Sequence, residues 1–112
     1  MRRRVLGEEH PDTLQSAANL AWSLAEHGKH AQAEQINREV LGVQRRVLGE
    51  EHPDTLQSAN NLASTLSDLE QYAEAERMLQ ATLEARRRVL GIGHPDTLST
   101  AHELEYVRSQ MR

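Results

Sequence analysis

One string dominates this chain: RRVLGEEHPDTLQSA fills residues 3–17 and returns unchanged at 45–59. A third copy, RRVLGIGHPDTLSTA, fills 87–101, so the period is 42 residues. A repeat of that length describes one supersecondary unit that buries its apolar face against copies of itself. Within each period the apolar residues step by three and four, which makes the fold class all-α. Over 53–69 they are Leu56, Ala59, Leu62, Ala63, Leu66 and Leu69, one stripe of a helix. After a polar break at Glu70-Gln71 the stripe resumes over 72–90 with Tyr72, Ala75, Met78, Leu79, Leu83, Val89 and Leu90. Each period is thus a helix A followed by a helix B. Short links between helices of roughly 25 Å force the two antiparallel.

The breaks carry their own chemistry. Gly49 supplies the left-handed backbone that ends a helix, and Pro53 has the fixed φ wanted at a first helical position. His52, preceding proline, is pushed out of the α region and falls at the boundary. Asp54 opens helix A and Arg45-Arg46 close helix B, each where the helix dipole favours its charge. A single repeat domain over 1–112 is expected: a partial helix B at 1–6, one repeat at 11–48, a second at 53–90, and a lone terminal helix A at 95–111.

Composition excludes several function classes. With no cysteine, disulfides and thiolate metal sites are ruled out, which suits a reducing compartment and makes the cytoplasm the expected location. No run approaches the ~18 apolar residues of a membrane span, and no apolar stretch of signal-peptide length follows Met1-Arg2-Arg3-Arg4. Thirteen Lys/Arg against seventeen Asp/Glu give a net charge of −4, the wrong sign for affinity through phosphate neutralisation. Lacking Phe, and with one Trp and two Tyr, the chain must build its core from Leu, Val, Ile, Met and Ala.

The spacing Asn61-Leu62-Ala63, Leu66, Tyr72, Ala75, mirrored by Asn19-Leu20-Ala21, Leu24, Gly28, Ala33, resembles the tetratricopeptide consensus. The 42-residue period with LGEEHPDTL and NNLA looks like the kinesin light chain branch of that family. The resemblance implies an α-solenoid of antiparallel helix pairs wound as a right-handed superhelix. It also implies a concave face lined by the A helices that holds peptides or domains of partner proteins, with helix-A asparagines among the contacts. Some positions depart from the pattern. Asn37 stands where the second repeat has Leu79, and Gly42 where it has Glu84, which predicts a weaker first helix B. Glu103, Glu105 and Arg108 replace Asn61, Ala63 and Leu66, which predicts a solvated terminal cap at 95–111. At the other end Leu14 and Leu20 have only the segment 1–6 to cover them, the expected route of any self-association.

Candidate sites follow from position. His10, His52 and His94 recur with the period, but equivalent positions lie about a helix pair apart, far beyond the ~2 Å bonds of a shared zinc ion. Their expected role is at helix boundaries. His27 and His30 bracket a turn without further ligands. The arginine runs at 2–4, 45–46 and 86–88 would form a basic edge, with Glu8-Glu9 and Glu50-Glu51 near enough for ion pairs. Without a phosphate loop, a cysteine nucleophile or a Ser/His/Asp arrangement, no enzyme is expected, and no catalytic, cofactor or metal site.

The stripe beside the buried one on each helix A is the candidate partner-binding groove. It runs Gln15, Ala18, Trp22, then Gln57, Asn60, Ser64, then Ser99, His102, Tyr106, with Asn19 and Asn61 as the helix-A asparagines. Trp22 and Tyr106 either face a groove or pack against adjacent helices or a neighbouring molecule. The expected function is a protein–protein interaction module that binds a peptide or domain of another protein, with no nucleic acid, membrane or cofactor. Two other roles fit the pattern: a structural segment that self-associates through its repeat ends, and a basic-edge binder of nucleic acid or anionic membrane.

Overall fold

The computed structural model describes residues 11–112, with side chains from Leu14 onward. The segment 1–6, its arginines and His10 lie outside the described residues. Five helices follow one another: α1 (Pro11–Glu26), α2 (His30–Val47), α3 (Pro53–Asp68), α4 (Tyr72–Leu90) and α5 (Pro95–Gln110). No strand occurs among the described residues, and no described helix is long and apolar enough to cross a membrane. The helices pack consecutively as antiparallel neighbours, with α1, α3 and α5 as A helices and α2 and α4 as B helices. This is an α-solenoid.

The repeated residues set the joints between these helices. Gly49 and Gly91 stand at equivalent positions and take φ of 100° and 97°, a left-handed backbone that ends the B helices. At the turn between helices A and B, Gly28 has φ 78° while its counterpart Glu70 holds φ 63°, at a cost of about 1–2 kcal/mol for a residue with a Cβ. The proline of each HPD triplet opens helix A, and the preceding histidine does more than mark the boundary. Its Nδ1 accepts the backbone N–H of Asp54 at 3.1 Å in α3 and of Asp96 at 3.0 Å in α5.

The core divides in two. The larger cluster joins Leu41 of α2 to Ala59, Leu62, Ala63 and Leu66 of α3, Ala75, Leu79 and Leu83 of α4, and Leu104 and Val107 of α5. The smaller one holds Leu14, Ala17 and Val40, with Ile36 and Val43 at its edge.

Two expectations need correction. Leu14 is buried in a cluster with Val40 of α2; Leu20, 43% exposed, is the bare one. Its counterpart Leu62 is buried in one cluster with Leu41, because a helix B precedes α3. Helix α5 exposes Glu105 and Arg108, the latter paired with Glu76 at 3.0 Å, and it also leaves apolar Leu98, 54% exposed, and Tyr106 open. Val89, placed on the α4 stripe by spacing, is exposed at the helix end, beyond the reach of α3 and α5.

Candidate partner-binding groove

Successive A helices meet across two junctions built differently. Between α3 and α5 the junction is closed by hydrogen bonds centred on Arg86, which is only 3% exposed. Its guanidinium donates to Thr100 Oγ1 at 2.8 Å, to the carbonyl of Asp96 at 3.1 Å and to Gln57 Oε1 at 3.0 Å. Thr100 Oγ1 in turn donates to Asn60 Oδ1 at 2.9 Å. These acceptors are all uncharged, so burial lowers the Arg86 pKa from its ordinary value, with Asp96 pulling weakly the other way. Arginine nonetheless stays protonated at neutral pH, which leaves a positive charge beneath the floor of this junction.

The equivalent position in the preceding repeat is Gln44, and the joint is homologous but neutral. Ser58 Oγ donates to Gln44 Oε1, and Thr55 Oγ1 donates to the Gln44 carbonyl at 3.3 Å, as Thr97 Oγ1 does to the Arg86 carbonyl at 3.4 Å. Arg86 therefore does not join a surface ladder, because it continues the buried Leu79–Leu83 line by one helical step. Two other arginines of that edge are paired: Arg45 with Glu50 at 3.2 Å, and Arg88 with Glu51.

Between α1 and α3 the junction is open. A cleft of about 370 Å³ lies there, walled by Ala18, Ala21, Trp22, Ala25 and Glu26 of α1 and by Asn61, Ser64, Thr65 and Asp68 of α3. Its lining also includes Asn37 of α2, 7% exposed, whose side-chain amide donates to Thr65 Oγ1 at 3.1 Å. Asn37 does not weaken the first helix B by stranding an amide in the core. The expected defect is a satisfied polar contact, and Thr65 passes it on by donating to the Asn61 carbonyl at 3.1 Å. Trp22 stands beside this cleft with 68% of its surface exposed. One wall is apolar and the other polar, with Glu26 and Asp68 marking the C-terminal ends of the two helices.

The sequence-derived groove residues separate into four groups. Trp22, Asn61 and Ser64 come together around the α1–α3 cleft. Gln57 and Asn60 belong to the closed α3–α5 junction, although Gln57 also donates to Asn61 Oδ1 at 2.9 Å and so ties the two junctions together. Gln15 donates to Asn19 Oδ1 at 3.0 Å on the exposed surface of α1, repeating the Gln57–Asn61 contact one period earlier. His102 and Tyr106 line a separate, shallow depression on α5 with Leu98 and Ser99.

Several residues of the cleft escaped the sequence reading. Ala21 and Ala25 look like buried-stripe alanines, yet both line the cleft, Ala25 as a half-buried residue. Asp68 and Glu26 carried a findable signal: they end α1 and α3, whose last turns hold no basic residue.

Comparison with known proteins agrees with this architecture. A family model described as tetratricopeptide repeat matches residues 13–54 and again 55–96. Two solved structures of a Podosopora anserina protein, described as a kinesin light chain with nearly identical TPR-like repeats, are each 30% identical to this chain. One superposes with a TM-score of 0.87 over 93% of this chain and 49% of its own, the other with 0.84 over 88% and 47%. BtubC (BKLC) from P. vanneervenii shares the fold, with a TM-score of 0.82 at 21% identity over 91% of this chain and 41% of its own. The chain spans about half the length of these structures or less. Among curated proteins there is no match.

Proposed function

Because the chain belongs to the tetratricopeptide repeat family and is kinesin light chain-like in its repeats, we propose that it is a protein-interaction module that grips a segment of a partner protein in the α1–α3 cleft. The observation that carries this reading is Trp22. An indole 68% exposed beside a cleft of about 370 Å³ is poorly explained by packing within the chain. As a contact it offers a large apolar surface and one N–H donor, the chemistry enriched at binding hot spots. Asn61 and Ser64 opposite it are half-buried and polar, suited to hydrogen bonds with the backbone of a bound segment. The Gln57–Asn61 contact and the Arg86 network beneath it hold that wall in place, so little ordering is required on binding.

The test compares the unaltered chain with Trp22→Ala and with Arg77→Ala, an exposed position on α4. Proteins captured from the source cell by the unaltered chain and by Arg77→Ala, but lost with Trp22→Ala, are the expected result. For a purified partner the Trp22 truncation is expected to cost about 2 kcal/mol or more of affinity. Unchanged affinity of such a partner for Trp22→Ala contradicts the reading. So does loss of helical circular dichroism in that variant, which would make Trp22 a core residue.

A further inference from the structure

The α1–α3 cleft carries charge of one sign at one end. Glu26 and Asp68, both exposed, are the last residues of α1 and α3 and both line it. The two helices run in parallel, so the negative ends of both backbone dipoles fall at the same place. Elsewhere in the chain such ends are compensated: α2 finishes with Arg45 and Arg46, α4 with Arg87 and Arg88, and α5 with Arg108. Helices α1 and α3 alone among the five have no basic residue in the last turn. Among the described residues, the basic side chain within 4.0 Å of either carboxylate is the His30 imidazole, with Nδ1 3.6 Å from Asp68. Two carboxylates and two dipole ends thus share one mouth of a cleft that is otherwise walled by alanines and an indole on α1 and by uncharged polar side chains on α2 and α3.

Resting on the reading that this cleft holds a partner segment, we infer that the segment is cationic: it lays apolar surface along Ala18, Ala21 and Ala25 and places a lysine or arginine between Glu26 and Asp68. An arginine meets both demands in one side chain. Its aliphatic stem covers the alanine wall, its guanidinium pairs with the carboxylates, and its plane can stack on the Trp22 indole. An acidic segment in the same place meets like charge from Glu26, from Asp68 and from both helix ends.

Trp22 is the only tryptophan, so its emission reports on this cleft. The full chain is titrated with two end-capped hexapeptides of alanine and leucine, one with a single arginine and the other with glutamate in its place. The arginine peptide is expected to change the emission saturably and to bind at least about fivefold more tightly than the glutamate peptide. That preference is expected to shrink as salt rises on the unaltered chain. It should also vanish in the double variant Glu26→Gln, Asp68→Asn, with helical circular dichroism retained because both positions are exposed. If the glutamate peptide binds as tightly as the arginine peptide, or the preference ignores both salt and the double substitution, the charge inference is overturned while the cleft reading stands. If neither peptide moves the emission, both fall.

Discussion

His52 and His94 show how much one residue contributes when a repeat uses it twice. Proline supplies the first helical turn but no side-chain acceptor, and the histidine before it satisfies the N–H of Asp54 or Asp96 that would otherwise lack a partner. The acceptor must be an unprotonated Nδ1, which leaves Nε2 to carry the ring proton. Replacing His94 by Ala is expected to cost about 1 kcal/mol, in the range of other caps, while His94→Asn retains most of the stability. Chemical denaturation of the two variants checks this, and equal losses would show that the ring matters through packing and not as an acceptor. The boundary role of these histidines was legible from the HPD triplet. The hydrogen bond was not, because it depends on the ring's rotamer. Arg86 was hidden for a similar reason: within a run of three arginines, only its phase relative to Leu79 and Leu83 marks it as the inward one.

At the level of helices the two repeats solve one packing problem with different chemistry. Asn37 of α2 meets Thr65 of α3, and their counterparts Leu79 of α4 and Val107 of α5 lie in the apolar cluster. Amide with hydroxyl has been exchanged for leucine with valine across a whole joint. Transplanting the second solution into the first, as Asn37→Leu with Thr65→Val, is expected to be neutral or stabilising. Thr65→Val alone is expected to destabilise by about 1–3 kcal/mol, since it strands the buried Asn37 amide. A double-mutant cycle by thermal or urea unfolding measures the coupling, about 0.5–3 kcal/mol if the pair acts as a unit. Additive effects would mean that the two side chains are independent. Sequence alone reads Asn37 as a flaw in its helix, because the compensating hydroxyl lies 28 residues away on another helix. Helix order and type were legible from periodicity, since local apolar spacing decides them; which polar residues complete one another across a joint was not.

Across the whole molecule, stability is expected to follow the distribution of the core. Helices α3 and α4 contribute most of the larger cluster, whereas α1 contributes only Leu14 and Ala17 to the smaller one and leaves Leu20 exposed. In a stack where each unit contacts its neighbours, the thinly covered end opens first. Native-state hydrogen exchange should therefore find α1 amides at least about tenfold faster than those of α3. Uniform protection would indicate that the stack unfolds as one body. The open cleft is walled by this thinly covered helix, so the weaker end of the fold is also the end proposed to bind. The most direct test of that claim maps a captured partner onto the isotope-labelled chain by backbone amide shifts. The expected result is a contiguous set of perturbed residues on both cleft walls, including Ala18, Trp22, Ala25, Asn61, Ser64 and Asp68, with the outer surface of α4 unchanged. Perturbation centred on α4, or on the Leu98–Tyr106 face of α5 with the α1–α3 cleft silent, would contradict it.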